Sequence, residues 1–172
     1  PELARMMVGR EVLLRVKKKE IQRGEVVFEA RDISVSDVNG LAAISHVSFQ
    51  VHKGEIVAIA GVSGNGQTEL VDVISGMNSL DGGKILFIGK SINEASVGER
   101  RDMGMAHIPE DRMVVGLNLQ TTLDENLIVS RYNDPAFSRY GFLLTKTISE
   151  FAQKVVDSFS IAAARPGEGI SM

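Results

Sequence analysis

From residue 25 onward, short apolar runs alternate with glycine-bearing turns. Val26, Val27 and Phe28 predict a first strand over residues 25–30. Asn39-Gly40 is a hairpin-turn signal. Beyond it Val47, Phe49 and Val51 alternate with Ser48, Gln50 and His52, the period of a half-buried antiparallel strand. Lys53-Gly54 turns the chain into Ile56-Val57-Ala58-Ile59-Ala60, apolar at every position, as a strand covered on both faces of a parallel sheet would be. After a glycine-rich segment, Leu70, Val73, Ile74 and Met77 form one helical stripe that Gly76 ends.

Asp81-Gly82-Gly83 leads into a strand over 84–88, closed by Gly89-Lys90. A short polar helix is expected over 94–101, and Met105-Ala106-His107-Ile108 reads as another buried strand. Thr122-Leu123-Asp124-Glu125 has the form of a capping box and predicts a helix start. Ile148, Phe151, Ala152, Val155, Val156 and Phe159 share one face of an amphipathic helix over 147–159. Residues 1–23, with the run Lys17-Lys18-Lys19-Glu20, differ from the rest and read as a connecting segment with a solvated surface. The domain proper is expected over 24–172. Its tail from Ser160, with Arg165-Pro166-Gly167 and Gly169, has no periodicity.

Composition narrows the class. With 172 residues, 44% of them apolar, the chain can bury a core. A net charge of −3 with scattered Lys and Arg gives no basic field for nucleic acid. The absence of cysteine excludes disulfides and thiolate metal sites. No apolar run approaches the roughly 18 residues of a membrane-spanning helix, so any work at a membrane is done by docking to something embedded there.

The candidate chemistry lies between the apolar run at 56–60 and the helix after it: Gly61-Val62-Ser63-Gly64-Asn65-Gly66-Gln67-Thr68. Glycines let the backbone turn so that its N–H groups face an anion, and the helix N-terminus adds unpaired N–H groups and partial positive charge. The phosphate-loop pattern is Gly, four residues, Gly, Lys, then Ser or Thr. Every position matches except Gln67, which stands where the lysine belongs. Gln donates a hydrogen bond but brings no charge to the β- and γ-phosphates. Glu69 adds negative charge at the same helix end. The expectation is a site that binds nucleotide weakly or turns it over slowly, with Thr68 available to ligand Mg²⁺. A glycine turn that binds nothing is the competing reading.

Val47-Ser48-Phe49, Gly54-Glu55-Ile56-Val57-Ala58-Ile59-Ala60-Gly61 and Ser63-Gly64-Asn65-Gly66-Gln67 together resemble the start of an ABC transporter ATPase domain. His107-Ile108-Pro109-Glu110-Asp111-Arg112, Gly116-Leu117 and Glu125-Asn126-Leu127 are similar to the second ATPase half of tandem importers of simple sugars or nucleosides. Met7-Val8-Gly9-Arg10 resembles the tail of the first half. The Asn-Gly-Gln form of the loop, His107 and Phe137-Ser138-Arg139 lean toward the nucleoside branch.

The resemblance implies an α/β fold: a phosphate-loop ABC-ATPase core of mixed sheet and helices, joined to a small antiparallel β-subdomain from 25–52 and 84–88. It implies ATP and Mg²⁺ as ligands, with residues 61–69 facing the phosphates. Glu110 falls where the family's Q-loop glutamine links the site to the membrane partner. Asp37 and Val38 occupy the region that usually carries an adenine-stacking aromatic. The partners implied are transmembrane permease subunits and the other ATPase half of the same polypeptide. The location implied is cytoplasmic, peripheral on the inner face of the membrane. The family's Ser-Gly-Gly signature, acidic strand and switch histidine would follow residue 160, so the chain is expected to stop before the signature and to be inactive alone.

Other residues invite blander readings. His107, in an apolar run, reads as a satisfied buried histidine before a catalytic one, and His46 and His52 as surface strand positions. Three scattered histidines lack metal-ligand spacing. Glu110 and Asp111, being adjacent, point apart, and Arg112 reads as an anchor that pairs with a carboxylate. Tyr132, Phe137, Tyr140 and Phe142 read as core, with an aromatic docking surface as the alternative. Two rival functions stay open: a dimerisation module of the transporter that binds no nucleotide, and a stand-alone phosphate-loop hydrolase. The second lacks an apolar strand ending in Asp after the loop.

Overall fold

A computed structural model of the chain describes Met6, residues 22–62 and residues 64–161. The lysine run at 17–19 and the tail containing Pro166 lie outside the described residues. The chain divides into two compact units, Pro1–Ala106 and His107–Met172.

In the first unit β1 (Val26–Ser36) and β2 (Ala42–His52) form a hairpin, with Gly40 at φ 76° in its turn. The helix α1 (Gln67–Ser75) follows, then β3 (Gly82–Phe87), β4 (Lys90–Ser91) and the short helix α2 (Val97–Asp102). The sheet order is β2-β1-β3-β4 and every pairing is antiparallel. This matches the antiparallel β-subdomain expected from 25–52 and 84–88. The first strand runs six residues past its expected end, through a bulge. The buried positions are Phe28 and Ala30, then Ile33 and Val35, so the inward parity switches once. The switch falls where the register with both neighbours shifts, and Asp32 there has φ 51°. An extra residue in the strand resets which side chains face the core, so strict alternation fails while the strand continues.

The core of this unit joins Phe28, Ala30, Ile33, Val35, Ile44 and Ile85 of the sheet to Leu70 and Val73 of α1 and to Ile92. Ile33, Ile85 and Ile92 have no exposed surface. Gly76, at φ 87°, ends α1 as expected, but Met77 lies beyond the helix and is exposed.

Two expected strands are absent. Residues 55–62 and 105–109 form neither helix nor strand. Ile56 is 91% exposed and Ile108 84% exposed, although both lie in largely apolar stretches. A strand buried on both faces needs a hydrogen-bonding neighbour at its side and layers above and below. Among the described residues nothing pairs with either run. His107 is therefore exposed, not the buried histidine that its apolar neighbours suggest.

In the second unit the helix α3 (Leu123–Ile128) starts at Thr122, whose N–H donates to the Glu125 carboxylate at 3.0 Å, one arm of the expected capping box. A two-residue hairpin, β5 (Ser138–Arg139) and β6 (Phe142–Leu143), precedes α4 (Thr145–Phe159). Ile128, Phe137 and Ile148 form its core with Phe151, whose ring lies 5.0 Å from that of Phe137. Of the four aromatics read as core, Phe137 alone is buried; Tyr132, Tyr140 and Phe142 are exposed. Phe159, assigned to the apolar face of α4, is exposed because it closes the helix past its last buried residue, Val156. No described helix is long and apolar enough to cross a membrane.

Candidate functional site

The glycine-rich segment enters α1 through two left-handed residues. Gly64 has φ 85°, and a Cβ there would meet nothing within 4 Å. Gly66 has φ 87° and is the N-cap of α1, with no side chain capping the helix. A Cβ on Gly66 would lie 2.5 Å from the Ala43 carbonyl oxygen and 3.1 Å from Ile44. The glycine thus lets the loop seat directly on β2. Ser63 lies outside the described residues.

The first helical hydrogen bond of α1 runs from Leu70 N–H to the Gly66 carbonyl at 2.9 Å. The N–H groups of Gln67, Thr68 and Glu69 have no partner among the described residues, as the first turn of an uncapped helix requires. They add the positive end of the helix dipole to whatever approaches. Thr68 is exposed and Glu69 half-buried, and neither side chain makes a hydrogen bond among the described residues. The side-chain amide of Gln67 folds back over Gly61, and a Cβ on Gly61 would stand 2.9 Å from its Cδ. Gly61 and Val62 are exposed, as is Asn65.

The segment that forms this turn carries little charge. No charged residue lies between Glu55 and Glu69. Glu55 is paired with Arg23 at 2.7 Å and accepts from His52 N–H at 2.9 Å. Among the described residues no group of three His, Asp or Glu side chains is placed to hold a metal ion, so any cation at this turn would rest on Thr68 and its ligand's own oxygens.

Arg100 carries no signal in the sequence that marks it out. It is 3% exposed, without an acidic partner among the described residues, and its guanidinium donates to five carbonyls. These include Val73 at 2.6 Å and Ile74 at 2.8 Å, near the C-terminal end of α1. Burial lowers its pKa. A cation at that end complements the helix dipole. Gly76 makes room for it, since a Cβ there would lie 2.9 Å from Arg100 Nε. In the sequence Arg100 looked like one more charge on a polar helix.

Glu110 belongs to the second unit and is exposed. Asp111 beside it accepts from the N–H groups of Met113 and Val114 at 3.0 and 2.9 Å, folding the segment into a turn. Arg112 is exposed and forms no ion pair among the described residues, in contrast to the anchor expected. The neighbouring carboxylate, Asp111, is engaged with backbone amides. In the hairpin turn Asp37 accepts from Asn39 and Leu41 N–H, so this region is fixed by backbone contacts and offers no aromatic face.

A family model described as ABC transporter matches residues 44–166. The nucleoside import ATP-binding protein NupA of Lactococcus lactis is 37% identical over 170 residues, 99% of this chain and 33% of that protein. The guanosine import ATP-binding protein NupO of Bacillus subtilis is 35% identical over 160 residues, covering 93% of this chain and 31% of its own length. The glucose import ATP-binding protein TsgD13 of Haloferax volcanii is 36% identical over 160 residues, 93% of this chain and 29% of that protein. The chain therefore spans about a third of the length of these relatives. Among solved structures, a nucleotide-free ATP-binding cassette from an ABC transporter superposes with a TM-score of 0.58 at 21% identity, over 86% of this chain and 60% of that one. A cassette in its ADP conformation superposes with a TM-score of 0.58 at 19% identity, over 83% and 57%.

Proposed function

Because the chain belongs to the ABC transporter family and has the fold of an ATP-binding cassette, we propose that it is part of the ATP-binding subunit of an importer for nucleosides or simple sugars. Its segment 61–69 is the phosphate-binding turn of that subunit, in a form without lysine. The observation that carries this reading is the uncapped start of α1 behind Gly64 and Gly66, both left-handed, in a chain over a third identical to import ATP-binding proteins. Backbone amides supply the cradle, Thr68 a hard oxygen for Mg²⁺, and Gln67 a neutral donor.

Within the whole transporter this chain is the second of two ATPase halves, joined to the first through residues 1–23. It works against permease subunits at the inner face of the membrane, with Glu110 at the position that communicates with them. A signature contributed by the other half would complete a nucleotide sandwich over this loop.

The folding of the Gln67 amide over Gly61 favours one competing reading, a scaffold half that keeps the turn closed on itself and binds no nucleotide. Calorimetric titration with Mg·ATP separates the two. The nucleotide reading expects saturable binding that Gly64→Val removes, since its Cβ enters open space before the helix mouth. Wild-type protein that stays silent to about 1 mM, weaker than about 4 kcal/mol of binding, would leave the scaffold.

A further inference from the structure

We propose that the β5–β6 hairpin of the second unit makes direct contact with an anionic lipid surface, with its aromatic tip seated among the headgroups. Every residue from 139 to 147 is exposed. The apolar side chains among them are large: Tyr140 is 87% exposed, Phe142 77%, and Leu143 is exposed beside them. The hairpin that carries them is firmly mounted. Leu144 N–H donates to the Phe137 carbonyl at 2.8 Å, and the buried Phe137 ring lies 5.0 Å from that of Phe151 in α4.

The turn itself is strained. Arg139 pairs with Phe142, and the two residues between them, Tyr140 and Gly141, have φ 53° and 83°. A two-residue turn left-handed at both positions is ordinarily Asn-Gly or Gly-Gly. An aromatic residue at the first position costs conformational energy, and the ring gains no burial in return. Its contribution therefore lies outside the chain.

The charges around the tip select its partner. Between Asp134 and Glu150 the chain has Arg139 and Lys146 and no carboxylate. Asp134 is paired with Arg131 at 2.7 Å, whereas neither Arg139 nor Lys146 has an ion-pair partner among the described residues. The Arg139 guanidinium lies over the Tyr140 ring, 5.3 Å from its centroid, so its charge sits at the tip. The net charge of −3 belongs to the whole chain, and charges more than about 8–10 Å away are screened. A surface that touches the tip meets two cations and two aromatic rings. Amphipathic rings at headgroup level and cations facing anionic lipid are the elements of an interfacial anchor. Two rings bury about 150–250 Å² each, well short of the roughly 800 Å² per side of a stable protein interface, and a fluid bilayer needs no matching surface.

Co-sedimentation of the 172-residue protein with phosphatidylcholine vesicles, pure or containing about one third phosphatidylglycerol, tests this. Binding is expected to the anionic vesicles only and to weaken as salt is raised. The double variant Tyr140→Ser/Phe142→Ser should weaken it about tenfold or more, since interfacial binding scales with buried apolar area. Arg139→Gln should weaken it about fivefold, the equivalent of about 1 kcal/mol for one cation at an anionic surface. The chain has no tryptophan, so Tyr140→Trp reports on the tip alone, and its emission should shift to the blue on the anionic vesicles. Sedimentation with neither kind of vesicle overturns the lipid contact and leaves the tip to a protein partner. Equal binding to both kinds overturns it as well. So does binding that the double variant leaves unchanged, or a Tyr140→Trp emission that stays fixed, since another face such as the lysine run at 17–19 would then be the one that adsorbs.

Discussion

The run at 56–62 packs four β-branched aliphatics into seven residues, as many as β1 spreads over eleven. By composition it is the better strand. In the structure β1 is hydrogen-bonded on both sides, by β2 and β3, and buries Ile33 completely. The run at 56–62 pairs with no strand among the described residues, and Ile56, Val57, Ile59 and Val62 are all exposed. β-propensity measures how well a side chain fits a pleated, half-covered surface, so it acts only where a surface exists. β1 takes its first neighbour, β2, from the adjacent segment through a tight turn, and only its second, β3, from beyond α1. A strand of a parallel sheet waits for partners that arrive by longer crossovers. The phosphate-binding turn hangs between the two regimes, with Gly66 seated on β2 and Gly61 at the end of the unpaired run.

The largest effect expected from this contrast lies in amide hydrogen exchange. Amides at 57–62 should exchange at nearly the rate of an unfolded chain. Those of β1 should be protected up to the opening energy of the sheet. For a domain stable by about 5 kcal/mol that is a difference of over a thousandfold. Mass spectrometry of peptic fragments separates the two stretches. Equal protection would mean that the run has found a partner and that the contrast is false.

Side-chain truncation sharpens the same comparison at smaller scale. Ile33→Ala removes three methyl or methylene groups from a site with no exposed surface and is expected to cost about 2–5 kcal/mol. Ile56→Ala makes the identical chemical change at a residue 91% exposed and should alter stability by no more than about 0.5 kcal/mol. Urea unfolding followed by circular dichroism reads both. A large loss at Ile56 would show that the run is packed in solution.

What the sequence made legible follows the same division. The hairpin could be read because Asn39-Gly40 and the alternation of Val47, Phe49 and Val51 are local signals whose partner is a few residues away. The start of α3 at Thr122 and the end of α1 at Gly76 were legible for the same reason. So was the turn at 61–68, whose chemistry is contained in one glycine-rich segment. Two features were hidden. The bulge at Asp32 breaks the alternation that would announce the rest of β1. Arg100 shows its role only once five carbonyls from two segments meet around it. The apolar run at 56–60 was legible as a demand for burial on both faces, and a pattern states the demand without saying whether a neighbour answers it.

The smallest effect is electrostatic and again separates the paired region from the unpaired one. Nothing between Glu55 and Glu69 titrates, so the run at 56–62 is insensitive to acid. The hairpin turn is sensitive. Asp37 accepts from the N–H groups of Leu41 and Asn39 at 2.9 and 2.8 Å, and these bonds hold its pKa below the ordinary 3.8. A carboxyl depressed on folding contributes stability that is present above its unfolded pKa and lost as the pH falls through the folded one. Asp37→Asn keeps an acceptor oxygen and removes the charge. The variant should therefore be less stable than the wild type at pH 7, and the gap should close as the pH drops below 3.8, where the wild-type carboxyl takes up its proton. Urea midpoints of the two proteins at pH 7 and in that acid range measure it. A gap that stays constant with pH would assign the stability of this turn to its backbone geometry, with Gly40 at φ 76°, and remove the charge from the comparison.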